Sequence, residues 1–456
     1  MKESKTALFE TMPIPKVVMK LCIPTVLGTL VTVLYSLADT YFVGMINDPI
    51  QNAAVTLAGP LLLAFNAVNN LFGVGTSSMM SRGLGRKDYD IVAQSSSFGF
   101  YSALFSSVLF SLVYTVFSPF FAVLLGADAV TTNPTLAYMK WTVSFGAVPA
   151  IMNVVMSQMV RSEGSALHAS IGVMSGCILN MILDPIFILP QCLGMGAEGA
   201  GLATFLSNTA ACAYFCIFLF IKRGKTYVCV NPVRIVFRKE VVFGIFGVGI
   251  PAAIQNLLNV TGMTILNNFA SAYGSDVVAS MGISSKITSI SFFIAMAMGQ
   301  GVMPLISYNY AAKNSKRMKA ALTYSIKIAL IFLTVSTTVY MVFAPQLVRL
   351  FMDNDIIVEY GKFFIRGLST AIPFLVIDFF AIGVFQACGF GRYALFFAFL
   401  RKIVLEIPAL LILNYFFPIY GLPFAQGIAE FGLCIASIFM LKKIFRDIEQ
   451  QNTQKN

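Results

Sequence analysis

The chain alternates long apolar stretches with short polar segments, and twelve of these stretches are long enough to cross a membrane. An α-helix needs about 20 apolar residues to span roughly 30 Å of hydrocarbon. Seven prolines inside these stretches predict bends in many of the helices, which membrane proteins tolerate where neighbouring groups satisfy the freed backbone; they are Pro24, Pro149, Pro185, Pro251, Pro304, Pro373 and Pro408. The pattern predicts an all-α membrane protein with twelve transmembrane helices. Their predicted limits are 17–45, 53–81, 91–118, 134–160, 165–190, 198–221, 240–270, 278–308, 319–344, 358–388, 393–416 and 421–443.

Two distant parts of the chain share a pattern. The segment GVGTSSMMS at 73–81 runs into a basic loop, and GQGVMPLIS at 299–307 runs into another. Pro24 and Pro251 open related helices at nearly the same offset. We therefore predict two pseudo-symmetric six-helix lobes, the usual architecture of a secondary transporter whose binding site lies where the repeats meet. The predicted segments are an N-terminal lobe, a cytoplasmic linker, and a C-terminal lobe with a cytoplasmic tail, at 1–221, 222–239 and 240–456.

The composition agrees with a membrane protein. Hydrophobic residues make up 57% of the chain and charged residues only 11%, so a soluble fold would lack the polar groups to cover its surface. The net charge of +11 is distributed unevenly. Among lysines and arginines near the predicted loops, the external side holds only Lys140, Arg349, Lys362 and Arg366. By the positive-inside rule both termini are predicted to be cytoplasmic, and no basic stretch carries the interleaved aromatics of a nucleic-acid site.

Other motifs restrict the function class. The eight cysteines include no CxxC pair and predict no disulfide framework, and Cys192 lies in a predicted external turn. Neither HExxH nor GxSxG occurs, so the sequence predicts no enzyme of those intramembrane classes.

Two aspartates lie inside predicted helices, where an ionised side chain costs at least about 2.5–3.5 kcal/mol. Asp39 is in the first helix and Asp184 in the fifth, with Asn180 four residues earlier on the same face. Thr204 and Asn208 form a similar polar pair on the sixth helix. Together these oxygens would suit Na⁺, or the two carboxyls could accept protons. Alternatively, Asp39 caps backbone at a kink and Asp184 lies at the membrane interface.

The chain resembles the multidrug and toxic compound extrusion (MATE) transporters over essentially its whole length, and is most similar to their DinF-like and MepA-like prokaryotic branch. The segments that carry the resemblance are YSLADTYFVG at 35–44, the glycine-rich end of the second helix, QMVRSEG at 158–164, Asn180 with Asp184, and GAEGAGLAT at 196–204.

The resemblance implies an ion-coupling site formed by Asp39, Asn180, Asp184 and Thr204, which would bind Na⁺ if the transporter is sodium-coupled. It also implies a second location. A NorM-like branch uses acids on the seventh and tenth helices, and Asp378 matches the tenth-helix position. The seventh helix has Gln255 in place of the glutamate, which puts a titrating site there in doubt. The polar residues of that face, which could bind substrate or link helices, are Gln255, Asn256 and Asn259.

The expected function is antiport: H⁺ or Na⁺ enters while lipophilic, often cationic, compounds leave through a prokaryotic plasma membrane. The expected partners are such small molecules and membrane lipid; no cofactor is expected, and the protein should be a monomer. The alternative is a lipid-linked saccharide flippase of the same superfamily. Outside the candidate sites, Lys402 and Glu406 are four residues apart and predict an ion pair along one helix face.

Overall fold

The structure, a computed structural model, describes residues 3–352 and 354–453, and contains helices but no strand within them. The all-α prediction is confirmed. The α-helices are α1 Glu3–Glu10, α2 Ile14–Gly44, α3 Pro49–Asn69, α4 Gly75–Gly85, α5 Tyr89–Val116, α6 Ser118–Leu124, α7 Thr132–Met139, α8 Ala147–Ser162, α9 Ala166–Ile188, α10 Gly196–Ile221, α11 Lys239–Ser271, α12 Ser275–Ala311, α13 Ser315–Arg349, α14 Asp355–Ser369, α15 Ile372–Cys388, α16 Gly391–Phe399, α17 Ile407–Phe416 and α18 Ala425–Thr453.

Three α-helical runs are interrupted by wider π-helical turns. These turns comprise Asn70–Val74, Lys140–Phe145 and Leu400–Glu406. Such turns are rare and often mark functional positions. Short 3₁₀ turns occur at Pro232–Arg234 and Leu422–Phe424.

The helices correspond to the twelve predicted spans. Among the described residues, nine helices are single spans by length and apolarity, and two more spans are helix pairs bent by 46° and 42°. Of the seven prolines, Pro149 and Pro373 lie beside these two bends. Four others, Pro24, Pro185, Pro251 and Pro304, lie inside continuous helices. The remaining predicted span, 393–416, is the run of α16, the π-helical turn and α17. The helices α1 and α6 were not predicted, because neither has an apolar stretch of membrane-spanning length.

The chain forms two compact units. The first comprises Met1–Thr11 and Ile23–Ala253, and the second Met12–Cys22 and Ile254–Asn456. Each predicted lobe therefore corresponds to most of one unit, with the beginnings of α2 and α11 exchanged. Of the predicted lobes, residues 1–2, 353 and 454–456 lie outside the described residues.

A stripe of small and polar residues on α9 determines the packing of the first unit. Gly172 and Gly176 are four residues apart, and this spacing continues through Asn180 to Asp184, so all four share one helix face. A Cβ on Gly172 would meet the Phe215 ring of α10. Small residues allow this close helix approach, which turns the polar end of the stripe towards α10.

In the second unit, serine hydroxyls bind backbone carbonyls of neighbouring helices. Ser280 and Ser284 of α12 donate to carbonyl oxygens of α14, each at 3.2 Å. The start of α2 packs in this unit as well, since the Cys22 thiol donates to the Met298 carbonyl at 3.7 Å. These hydroxyl and thiol contacts to backbone acceptors add to an apolar core that includes Val277, Met281 and Phe364.

Candidate cation-binding site

Three of the four residues predicted for the first site are joined by direct contacts. With the Asn180 amide nitrogen facing Asp184, it donates to the two carboxylate oxygens at 2.8 and 3.2 Å, and the amide oxygen accepts from the Thr204 backbone N–H at 3.1 Å. Asp184 has no exposed surface, and Asn180 is buried as well. The predicted same-face placement of Asn180 and Asp184 is therefore confirmed, and Asn180 links α9 to α10.

Asp39 of α2 lies within electrostatic range of Asp184. Both carboxylates also act on the phenols of Tyr35 and Tyr138. Asp39 is half-buried, whereas Tyr138 of α7 is almost fully buried. Helices α2, α7, α9 and α10 thus each contribute a polar group to one region of the first unit.

Asn208, the other polar residue predicted on α10, has a different contact. Its side-chain oxygen accepts from the Asn153 amide of α8 at 2.8 Å. This bond fastens α10 to α8 and leaves Thr204 as the α10 residue next to Asn180.

No described basic side chain acts on either carboxylate. Within the described part of the chain, Asp39 is the one charged group that acts on Asp184, and no basic side chain does so. An uncompensated buried charge costs several kcal/mol, which binding of a proton or a small cation would relieve. Among the described residues no group of three or more His, Cys, Asp or Glu is placed to hold a metal ion. The available oxygens are instead two carboxylates, an amide and a hydroxyl.

The residues predicted for the second location do not form one cluster of contacts: the α11 amides and Asp378 have different partners. Gln255 of α11 accepts from the Gln386 amide of α15 at 3.3 Å, a helix-linking bond, while Asn256 and Asn259 are half-buried on α11. Asp378 is buried and accepts from the Ser437 hydroxyl of α18 at 2.8 Å. Within the described residues, the contacts of Asp378 lead to α18 and the turn at 400–406, and not to the α11 amides.

Sequence reasoning did not predict the contacts of three buried residues, Tyr138, Arg401 and Glu430. Tyr138 carries no signal, because one tyrosine among many apolar residues is unremarkable in sequence. Arg401 and Glu430 form a buried ion pair on separate elements, and the charge of each inside an apolar span was the available signal. The predicted Lys402–Glu406 pair is confirmed by a hydrogen bond of 2.7 Å.

Comparison with known proteins identifies the family. The family model MatE matches residues 24–186 and again residues 251–416. The chain belongs to the MatE family. Because one model matches twice, starting at Pro24 and at Pro251, the predicted repeat of two related halves is confirmed for this MatE chain.

Similar proteins span almost the whole MatE chain. It is 34% identical over 450 residues to the multidrug export protein MepA of Staphylococcus aureus (strain MRSA252), covering 98% of this chain and 97% of that protein. It is 32% identical over 449 residues to MepA of Staphylococcus saprophyticus, with the same coverage. A solved outward-facing multidrug resistance MATE transporter of the MOP superfamily superposes with a TM-score of 0.92 at 25% identity, covering 98% of both chains.

Proposed function

We propose that this chain is a multidrug efflux transporter of the plasma membrane, a cation-coupled antiporter and not an enzyme. The single observation that carries the coupling is the pair Asp39 and Asp184, two acids among apolar helices, with no described basic side chain acting on Asp184. The similarity to multidrug export proteins supports export of small lipophilic or cationic compounds, and favours it over saccharide flipping. No cofactor is needed beyond the coupling ion, H⁺ or Na⁺.

In this proposal the ion and the drug bind in alternation. Uptake of H⁺ or Na⁺ by Asp39 and Asp184 neutralises the site and favours the conformation that has released its drug. A ligand shifts a conformational equilibrium only by binding one state better, so the ion and the drug must compete, directly or through α2. Each charge that crosses 100 mV supplies about 2.3 kcal/mol, or roughly a 50-fold concentration ratio. The field alone is therefore enough to concentrate a neutral drug outside. One-for-one exchange for a monovalent cation moves no net charge and depends on the concentration gradient of the coupling ion.

The ligand set accommodates either ion. A proton needs one carboxyl, whereas Na⁺ needs several oxygens, which Asp39, Asn180, Asp184 and Thr204 supply as carboxylate, amide and hydroxyl. The proposal further places both termini in the cytoplasm and treats the monomer as the transporting unit within membrane lipid.

Ethidium efflux from proteoliposomes tests the proposal, with proton and sodium gradients imposed separately. Asp39→Asn removes an ionisable group, so we expect gradient-driven efflux to fall to the level of protein-free liposomes while expression is unchanged. Asp276→Asn is the matched control, because Asp276 is exposed at the start of α12, and it should transport normally. An Asp39→Asn protein that still couples efflux to either gradient would disprove the role of Asp39.

A further inference from the structure

A cavity of about 810 Å³ lies in the first unit, between the start of α5, the end of α10 and the segment that follows α10. It is separate from the candidate cation-binding site, because none of the four described residues of that site lines it. Its lining on α5 extends from Tyr89 to Phe100, about 16 Å of helix at 1.5 Å per residue. Its lining beside α5 extends from Cys216 of α10 to Arg223, just beyond the helix end. The cavity is therefore elongated along the helix axes.

The two ends of this cavity differ in polarity. The end at the helix termini is lined by Arg223 and Arg234, whereas Phe100 lines the part that lies farther along α5. Phe220, which also lines the cavity, is 76% exposed, and its neighbour Ile221 is 67% exposed. Apolar side chains exposed at the end of a membrane span face hydrocarbon, and the basic residues that follow them lie at the headgroup level. The cavity thus crosses the boundary between hydrocarbon and headgroups.

The polar end carries an excess positive charge. The charged residues that line the cavity are Asp90, Arg223 and Arg234, all of them exposed. Arg234 Nη1 donates to Asp90 Oδ1 at 2.9 Å, so Arg223 supplies the excess charge. A guanidinium has five N–H donors, so Arg234 keeps donors beyond the one that binds Asp90. Two guanidinium groups at one end of a cavity are suited to a phosphate, whose oxygens match their planar donor geometry.

The wall formed by the segment after α10 is held to the first unit by hydrogen bonds. Glu163 is 1% exposed, and its Oε2 accepts from the Thr226 hydroxyl at 2.8 Å and from the Tyr227 backbone N–H at 2.7 Å. The Ser96 hydroxyl of α5 donates to the Cys229 carbonyl oxygen at 2.8 Å. The cavity is therefore already formed without a ligand, and binding to a preformed site avoids the entropic cost of ordering a loop.

We propose that this cavity binds an anionic phospholipid, with its phosphate between Arg223 and Arg234 and its acyl chains along the apolar side chains of α5 and α10. An inorganic anion would use only the polar end, whereas a phospholipid has a phosphate and hydrocarbon in the order that the cavity requires. The excess positive charge selects an anionic headgroup over a zwitterionic one, because basic pockets at the membrane surface attract anionic lipid.

Native mass spectrometry of the purified full-length protein in detergent tests this proposal, with phosphatidylglycerol as the probe. The protein should bind one phosphatidylglycerol at a saturable site and bind zwitterionic phosphatidylcholine more weakly. The double variant Arg223→Gln/Arg234→Gln should bind phosphatidylglycerol about 25-fold more weakly, since each basic residue near the membrane surface contributes roughly fivefold. Asp90→Asn should bind it more tightly, because the excess positive charge rises. These side chains are exposed, so thermal unfolding without added lipid should match that of the unmodified protein.

The matched control is Lys222→Gln/Lys225→Gln, which removes the same charge from the same segment but from residues that do not line the cavity. Its affinity for phosphatidylglycerol should be unchanged. Equal losses in the two double variants would show general attraction to a basic surface and overturn the site. Equal affinities for the two lipids, or displacement of phosphatidylglycerol by an equal concentration of inorganic phosphate, would overturn the lipid assignment. None of these measurements requires transport, so the result is independent of the antiport proposal.

Discussion

At the scale of single residues, Asn180 is the side chain on which the first site depends. Its amide nitrogen contacts Asp184 and its oxygen contacts the Thr204 backbone. It therefore stabilises the ionised form of Asp184, and it would also present an oxygen to a bound metal cation. Removing the amide would therefore change proton binding through Asp184, and it would change Na⁺ binding through loss of an oxygen ligand.

We predict that Asn180→Leu separates proton coupling from sodium coupling. A hydrogen bond to a charged group contributes about 1.5–3 kcal/mol, so losing it should change ion affinity roughly 10- to 100-fold. In a proton-coupled transporter the pH midpoint of efflux moves upward, because the ionised form of Asp184 loses its donor. In a sodium-coupled transporter the Na⁺ concentration for half-maximal efflux rises. Ethidium efflux from proteoliposomes at varied pH and Na⁺ distinguishes the two outcomes.

The control for this prediction is Thr209→Val. Thr209 is exposed on α10, and its hydroxyl donates to the Phe205 carbonyl of its own helix at 2.7 Å. Efflux should keep its dependence on pH and on Na⁺. If Asn180→Leu also leaves both dependences unchanged, Asn180 has no part in ion binding.

Contacts between residues close in sequence were predictable, whereas contacts between helices were not. The pairs Asn180–Asp184 and Lys402–Glu406 follow from the helical repeat, which places residues four apart side by side. Arg401 and Glu430 are 29 residues apart, and the packing of two helices brings them together. Asp39 and Asp184 could be selected without any structure, because a charge in an apolar span is costly enough to require an explanation.

At the scale of helices, α11 shows how closely backbones approach in the first unit. Gly249 lies against the carbonyl oxygen of Leu71, which belongs to the π-helical turn Asn70–Val74. Gly247 is in the same helix two residues earlier and has open space around the position of a Cβ. The two glycines therefore form a matched pair for substitution.

We predict that Gly249→Ala destabilises the protein and that Gly247→Ala does not. The new methyl group at position 249 would overlap a backbone oxygen that cannot move without its helix, and overpacking typically costs about 1–3 kcal/mol. At position 247, alanine should stabilise the helix by up to about 1 kcal/mol. Thermal unfolding of the purified variants in detergent measures both effects. Equal unfolding temperatures for the two variants would show that α11 and the turn do not pack as described.

The helices themselves were easier to predict than their interruptions. Lipid cannot hydrogen-bond the backbone, so a long apolar stretch must be helical, and most predicted limits lie within a few residues of those observed. The π-helical turn Leu400–Glu406 falls inside the predicted span 393–416 and has no local sequence signal. Of its two buried cations, Lys402 pairs with Glu406 inside the turn, whereas Arg401 pairs with Glu430 of α18, a contact that only the folded chain provides.

At the scale of the whole molecule, the charge distribution leads to a prediction about topology. Cys192 is exposed in the segment between α9 and α10, on the predicted external side. Cys229 lies in the segment between α10 and α11, on the predicted cytoplasmic side. If the predicted topology is correct, these two cysteines report on opposite faces of the membrane.

We predict that a membrane-impermeant maleimide labels Cys192 but not Cys229 in intact cells. Single-cysteine variants that retain one or the other provide the measurement, and permeabilised cells provide the control in which Cys229 should become labelled. Labelling of Cys229 in intact cells, with Cys192 protected, would place the termini outside and contradict the positive-inside assignment.

Composition and the repeat were sufficient to predict the class of the molecule, the number of spans and the two related halves. They were not sufficient to predict which residues make up each compact unit. Residues 12–22 belong to the second unit, and the start of α11 to the first. Nothing in the composition of these segments distinguishes them from the rest of their helices, because the division depends on tertiary contacts alone.

This exchange of segments has a consequence for biosynthesis. Chains are synthesised from the N-terminus, so residues 12–22 leave the ribosome long before Met298, to which Cys22 is bonded, has been translated. The first unit likewise remains incomplete until the ribosome has passed Ala253. A fragment that stops at the linker would lack the last helical piece of its own unit, and its helix α2 would begin with a surface that only the later translation product can cover.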